Sequence, residues 1–441
     1  MSKLKVTSPA TGKVLATLPA DDAKSVKAKY ERARAAQPAW AKVRLKQRLD
    51  AMRRFRELVV ADTERLAKIL SDEVGKPISQ ARNELKGVLP RIDFFLDASA
   101  HTLRTEKVSN DGGMEERISH EPLGVVANIS AWNYPWFVGS NVFVPALLAG
   151  NTVLYKPSEF AAMTGAEIAR LLHAAGIPEG VFTTIIGDGK VGAALLAQPV
   201  DGVFFTGSVA TGKRIAEAVR GRLVKLQLEL GGKDPIYVCE DVDVAKAAAG
   251  IADGAFYNTG QSCCSVERIY VNEGIFPQFV DAFVAEVKRF KRGDPSDEST
   301  YIGPLTRAPQ LKVLEAQVRD AVKKGAKVLV GGKRIKAKGH WFEPTVLTGV
   351  DHSMAVMREE SFGPIIGIMA AKDDRQAVSL MNDTSYGLTA GVYTNDRARA
   401  ERILGELRAG SVYWNCRERV SPKLPWSIGR RCAGEGEALA A

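Results

Sequence analysis

Apolar positions recur at three- and four-residue spacing through VKAKYERARAAQPAW and RLDAMRRFRELVVADTERLAKILSDEVG, with charged residues on the opposite positions. Residues 22 to 109 are therefore predicted to be mostly helical, a cover in which no chemistry is visible. From about residue 124 the period changes. GVVANIS, NTVLYKPS, TTIIGDG and GVFFTGS are short apolar or β-branched runs, and between them lie helical stretches such as NVFVPALLAG, TGAEIARLLHAAG and TGKRIAEAVR. Strands that alternate with helices predict a parallel, doubly wound sheet.

After KLQLELGGKDPIYV the alternation resumes. ERIYV, AKVLVGG, FGPIIGIM, TAGVYT and SVYWN read as strands, and FPQFVDAFVAEVKRF, Asp374 to Met381 and ARAERILGEL as helices. This predicts a second α/β domain that starts near residue 234. No repeat, low-complexity tract or Pro-rich linker separates the halves, so a cleft between them is the default place for a ligand.

Composition narrows the class. The chain has 441 residues, 45% of them hydrophobic and 25% charged, enough for two to three globular domains. Neither a secretory leader nor a run of roughly 20 apolar residues is present, which predicts a soluble, cytoplasmic protein. The net charge of +10 raises the question of nucleic acid. Lys and Arg are scattered, however, and stand beside acids, as in KRFKRGDPSDES at 288 to 299, so a solvated basic surface is the expectation. Cys239, Cys263, Cys264, Cys416 and Cys432 are odd in number and lack framework spacing, which argues against a disulfide scaffold.

A lone cysteine is ordinarily a small buried hydrophobe. Cys263 differs in context, because AFYNTGQSCCSVERIYV displays it on a turn of Gly, Asn, Thr and Ser just before a strand. A metal reading fails, since two adjacent cysteines lack ligand spacing and the histidines at 101, 120, 173, 340 and 352 are remote in sequence. A thiolate nucleophile needs a base and a thioester needs an activated water, both of which a carboxylate in a partly apolar site supplies. Glu229 in LQLELGGKDP is the candidate, at a strand end beside a glycine turn. Asn133, after GVVANIS in the run Trp132, Asn133, Tyr134, Pro135, can offer its amide N–H to an oxyanion.

VFFTGSVATGKRIAEAV gives strand, glycine turn and helix around Gly207, Ser208 and Gly212, an arrangement suited to pyrophosphate. It is GSxxxG and lacks the GxGxxG fingerprint, so alone it is a weak signal. NTVLYKPSEF adds Lys156 and Glu159 for an adenosine ribose. A carboxylate on the 2′ and 3′ hydroxyls repels a 2′-phosphate, so Glu159 predicts NAD over NADP.

Together GVVANISAWNYPWF, GNTVLYKPSEF, FFTGSVATGK, LQLELGGKDP, NTGQSCCS, EESFGPI, NDTSYGLTAGVYTND and GSVYWN resemble the aldehyde dehydrogenase superfamily, in its order, over roughly residues 120 to 416. The resemblance implies two doubly wound parallel-sheet domains: an NAD-binding one at 1–104 and 124–233, and a catalytic one at 234–430. It also implies a small oligomerisation hairpin at 105–123. It makes Cys263 the nucleophile, Glu229 the base and Asn133 the oxyanion donor. It assigns to NAD the residue at position 130, where GVVANIS ends in Ile129 and Ser130, and Trp132, Lys156, Ser158, Glu159, Gly189, Gly207, Ser208, Gly212, Leu230, Glu360 and Phe362. It brings Tyr134, Trp136, Phe137, Asn141, Tyr257, Ser262 and Cys264 toward the substrate channel. No metal is implied.

The expected reaction is NAD-dependent oxidation of an aldehyde to a carboxylate through a Cys263 thioester. A CoA-acylating enzyme, an inactive NAD-binding relative and a nucleic-acid-binding module are the alternatives. Glu229 favours hydrolysis over acyl transfer to a thiol. One departure stands out: after SPKLPWS the chain reads IGRRCAGEGEALAA, a shortened or degenerate tail at 431–441 where the family places a strand that pairs with a partner subunit. A homodimer or homotetramer, usual for the family, is in doubt on that ground.

Overall fold

The computed structural model describes residues 2–416 and 420–424. The tail at 431–441, with Cys432, lies outside the described residues. The described residues pack as two compact units: 2–7, Val14–Glu73 and Ala81–Leu228 form the first, and Ser8–Lys13, Val74–Gln80 and the described residues from Glu229 on the second.

The first unit opens with an antiparallel pair, β1 (Lys3–Thr7) and β2 (Val14–Pro19). Most of its side chains are exposed, which is why the hydrophobic pattern does not announce it. Helices α1 (Ala23–Ala41), α2 (Leu45–Ala61), α3 (Thr63–Val74) and α4 (Ile78–Thr102) follow, as the periodicity predicts. Asp22 starts α1 through a capping box: its carboxylate accepts from Ser25 N at 2.8 Å, and Ser25 Oγ accepts from Asp22 N at 2.9 Å. Strands β3 (Glu106–Asp111) and β4 (Met114–Ile118) make an exposed antiparallel hairpin.

The main sheet of this unit has the order β7-β6-β5-β8-β9, with β5 (Val125–Ile129), β6 (Thr152–Lys156), β7 (Phe182–Thr184), β8 (Gly202–Thr206) and β9 (Lys225–Glu229). Helices α5 (Pro135–Leu148), α6 (Ala162–Ala174), α7 (Gly189–Leu196) and α8 (Val209–Val219) connect them. Strand β5 pairs in parallel with both β6 and β8. Every residue of β6 is buried, as in a sheet covered on both faces. Phe143 anchors that cover by meeting Phe55, Tyr155 and Phe182 edge-on, with ring centroids 5.5–6.1 Å apart. The chain runs β5, β6, β7 outward in one direction and β8, β9 in the other, so the strand order reverses beside the carboxyl end of β5. Such a reversal leaves a crevice suited to ligands.

The second unit holds a sheet of order β12-β13-β14-β11-β10-β15-β16. Its strands are β10 (Asp234–Val238), β11 (Val266–Asn272), β12 (Lys327–Val330), β13 (Thr345–Thr348), β14 (Ile365–Ala371), β15 (Thr389–Tyr393) and β16 (Ser411–Trp414). All neighbours are parallel except the edge pair of β12 and β13. Along β10 alternate side chains enter two cores. Ile236 and Val238 pack with α9 (Val244–Phe256) and α10 (Phe276–Arg289), while Tyr237 packs with α11 (Ala308–Lys323), α13 (Asp374–Asn382) and α14 (Arg397–Glu406). The short helix α12 (Ala355–Arg358) lies between β13 and β14 in sequence. The fold is α/β, with a doubly wound parallel sheet in each unit.

Candidate active site

In the second unit the chain leaves α9 through Tyr257–Gly260 and takes left-handed backbone at three successive residues: Asn258 (φ 52°), Thr259 (φ 58°) and Gly260 (φ 70°). Two of them are not glycine, a conformation that persists only where surroundings enforce it. The enforcement is visible. Asn258 N donates to Gln80 Oε1 at 2.8 Å and Asn258 Nδ2 to Gln261 O at 3.1 Å, while Gln261 Oε1 accepts from Thr306 N at 2.9 Å. Gly303 N donates to Thr259 Oγ1 at 3.0 Å. A Cβ on Gly260 would lie 2.4 Å from the Gly363 carbonyl oxygen, so only glycine fits that approach.

This wired turn ends at Ser262, Cys263 and Cys264. Cys263 is partly exposed, whereas Cys264 and Cys239 are buried. A hydrogen bond with Cys263 and burial push the Cys264 thiol well up, and burial pushes Cys239 up to about 12. Both therefore stay protonated at neutral pH and are poor nucleophiles. Ser262 Oγ lies 3.5 Å from Cys264 Sγ.

Glu229 closes β9, and Leu230, Gly231 and Gly232 carry the chain to β10. A Cβ on Gly232 would meet the Cys263 carbonyl oxygen at 2.5 Å, and one on Gly231 would meet both Glu360 carboxylate oxygens at 2.4 Å. Gly232 N donates to Glu360 Oε1 at 3.2 Å. The two glycines thus let three segments touch: the turn after Glu229, the Cys263 turn and the loop bearing Glu360.

That loop is held from below by groups the sequence pattern left unmarked. Lys233 Nζ, fully buried, donates to Glu267 Oε2 at 2.6 Å and to Ser361 Oγ at 3.0 Å. Glu267 also accepts from Ser361 N at 2.8 Å and Phe362 N at 2.9 Å. Phe362 sits in left-handed backbone (φ 47°), so these two N–H bonds fix a strained bend. Glu267 is the one acid in the buried strand VERIYVN, followed there by buried Arg268, and charged residues in a strand that is otherwise buried are the signal that could have found it.

Burial pushes the Glu360 carboxyl up to about 8, with Glu267 adding repulsion. Burial likewise pushes Asp234 up to about 8, although Thr389 Oγ1 donates to its Oδ2 at 2.5 Å. Both acids hold a proton more tightly folded than unfolded. Their contribution to stability is fully present below the ordinary carboxylate pKa near 4 and is lost as the pH climbs through about 8. Unfolding free energy, measured with urea at about pH 6 and about pH 9, is expected to fall between the two, and the fall should shrink in Asp234→Asn.

In the first unit the switch-point residues align by strand register. Ile129 pairs with Lys156 on one side and Phe205 on the other, and Ser130 N donates to Lys156 O at 3.0 Å. Ser130 and Lys156 are buried. Burial pulls the Lys156 amine down, and Glu159 and Asp188 pull it back up. Ser158 Oγ donates to Glu159 Oε2 at 3.4 Å. Gly207 leads to Ser208, which caps α8 by accepting from Thr211 N at 3.3 Å; Gly212 is buried within that helix. Gly189 opens α7, whose cap Asp188 accepts from Lys190 N at 2.9 Å. Asn133 is buried in the turn between β5 and α5, after Trp132 and before Tyr134. Glu84 Oε1 accepts from Trp136 N at 2.9 Å and so pins the start of α5 to α4. Phe137 lies in that first turn and Asn141 one turn on, while Tyr257 belongs to the second unit.

Among the described residues no helix is long and apolar enough to cross a membrane, and no group of three or more His, Cys, Asp or Glu could hold a metal ion.

The aldehyde dehydrogenase family profile matches residues 1–438. A Mycobacterium ulcerans protein, assigned by name to succinate-semialdehyde dehydrogenase of the NADP(+) type, is 38% identical over 408 residues, 92% of this chain and 79% of its own length. Glutarate-semialdehyde dehydrogenase of Pseudomonas putida is 34% identical over 411 residues, 93% of this chain and 85% of its own. The crystal structure of an NAD-dependent aldehyde dehydrogenase from Sinorhizobium meliloti superposes with a TM-score of 0.94 at 35% identity, covering 98% of this chain and 87% of that one. On the profile, the relatives and the shared fold, the chain belongs to the aldehyde dehydrogenase family.

Proposed function

We propose that this enzyme oxidises a small aldehyde to its carboxylate with a nicotinamide dinucleotide and water, through a thioester on Cys263. The observation that carries the reading is a partly exposed Cys263 on an over-determined turn, against the glycine pair that follows Glu229 and touches Glu360. The Cys263 sulfur adds to the aldehyde carbon, and a side-chain amide such as that of Asn133 stabilises the resulting oxyanion. A bound nicotinamide supplies the hydride acceptor. Loss of hydride leaves the thioester, which water attacks as Glu229 takes its proton; carboxylate and free thiol result. Glu229→Gln should therefore retain a first burst of reduced dinucleotide in stopped flow while the steady-state rate falls by about 10²-fold. An unchanged steady-state rate would remove Glu229 from the mechanism.

The first unit fits a dinucleotide. Its Gly207 turn and the start of α8 offer backbone N–H groups to pyrophosphate at the strand-order reversal, and the buried Lys156 would stand by the adenosine ribose. Glu159 would meet the adenosine ribose, which favours NAD by repelling a 2′-phosphate. Glu159→Ser is expected to improve kcat/KM with NADP relative to NAD by about tenfold, read from parallel titrations of the two cofactors.

A further inference from the structure

The chain's net charge of +10 is not spread evenly. The stretch KKGAKVLVGGKRIKAKGHWFE at residues 323–343 holds seven cations against one acid, Glu343, a net +6 within 21 residues. In KRFKRGDPSDES cations stand beside acids; here they do not. The stretch lies wholly in the second unit and runs from the last residue of α11 through the edge strand β12 into a hairpin loop.

That loop has a structure of its own. Arg334 bridges Phe342 in antiparallel register, Ile335 N donates to Trp341 O at 3.0 Å and Glu343 N to Lys333 O at 3.1 Å. Phe342 is buried, and His340 N donates to Pro9 O at 2.9 Å, so the hairpin is anchored at its base. Lys333, Arg334, Lys336 and Lys338 are exposed on it, as is Lys327 on β12, and none of the five makes an ion pair among the described residues. Lys324, by contrast, pairs with Asp320 at 2.8 Å. Like charges held together on an anchored hairpin repel one another and keep a positive potential on this edge. Lysine on an edge strand also blunts unwanted sheet pairing, but that accounts for Lys327 alone, since the other four lie beyond β12.

Aliphatic side chains lie among the cations. Val322 is 48% exposed, and Val328 and Leu329 are 38% exposed. Cations interleaved with exposed aliphatic groups suit a surface that is anionic outside and apolar beneath. Nucleic acid fits less well. Its single strands seek aromatic platforms, and the one indole of this stretch, Trp341, is partly covered, with its Nε1 donating to Lys338 O at 2.7 Å.

We infer that this edge of the second unit docks reversibly on an anionic lipid surface, with the hairpin cations among the headgroups and the neighbouring aliphatic side chains at the acyl boundary. Such docking is peripheral, needs no membrane-spanning helix and is independent of the reaction proposed above.

The test is sedimentation of the full-length protein with vesicles of phosphatidylcholine alone and with about 30% phosphatidylglycerol, at about 0.1 M salt. Each cation near such a surface raises partitioning about fivefold. Wild type should therefore bind the anionic vesicles at least about 10²-fold better than the neutral ones, and lose that preference as salt rises. The quadruple variant Lys333→Gln, Arg334→Gln, Lys336→Gln, Lys338→Gln changes exposed side chains only, so its Tm should hold while anionic binding falls by about 10²-fold or more. The pair Lys336→Gln, Lys338→Gln alone should cost about 20-fold. Leu329→Gln should weaken anionic binding by about threefold or more. Equal sedimentation with both kinds of vesicle, undiminished binding in the pair and the quadruple variant, or a single-stranded oligodeoxythymidine of about 20 nucleotides bound more tightly than the anionic vesicles would overturn the assignment, the last in favour of nucleic acid.

Discussion

Replacement of Cys263 by alanine is expected to lower formation of reduced dinucleotide from any aldehyde by on the order of 10⁴-fold or more, the scale on which loss of a covalent nucleophile is felt. Dinucleotide binding should survive, because no cofactor contact is assigned to that side chain. Alkylation sharpens the test. Cys264 and Cys239 are buried, and their thiols are pushed up, so limiting iodoacetamide should label Cys263 ahead of both and silence the enzyme in proportion. Peptide mapping that finds the label elsewhere while activity disappears would refute the assignment, as would an active Cys263→Ala protein.

A second large effect is expected at the buried pair of Lys233 and Glu267. Removal of one member strands the other charge in the interior, so Glu267→Ala should lower the unfolding free energy by about 3–5 kcal/mol. Its Lys233→Met, Glu267→Leu double variant should recover much of that loss, since two apolar side chains of similar volume can replace a buried pair. Function should not recover with it. The Ser361 and Phe362 N–H groups would still lack their acceptor, so the bend that presents Glu360 and Phe362 loosens, and the dinucleotide KM rises in a protein of near-native stability. Urea denaturation and steady-state kinetics separate the two effects. A double variant with normal KM would show that the pair serves stability alone.

The alternation of apolar runs announced most of the layered architecture, because fully buried strands such as β6 and amphipathic helices such as α10 carry their burial in their spelling. Several elements escaped, α11 and the four-residue β13 among them. Strands β1 and β2 are mostly exposed and show no apolar face, and α9 is so rich in Ala and Gly that its periodicity is faint. At the site, individual segments could be picked out by their residue types, but what joins them could not. Gly231 and Gly232 matter because Glu360, 128 residues on from Gly232, and Cys263 come against them. The bond from Lys233 to Glu267 spans 34 residues. In the linear chain Lys233 is one more charge in a turn and Arg91 one more in a helix that looks solvated; only packing reveals that both are inside.

The left-handed run at Asn258, Thr259 and Gly260 bears on any attempt to re-engineer this enzyme. Libraries that randomise the neighbourhood of the thiol for new specificity should return glycine at 260 almost without exception, and consensus stabilisation by Gly→Ala exchange should backfire there, because a methyl would collide with the Gly363 carbonyl. Diversity is better directed at the side chains proposed for the substrate channel, where size can change without a collision of backbone.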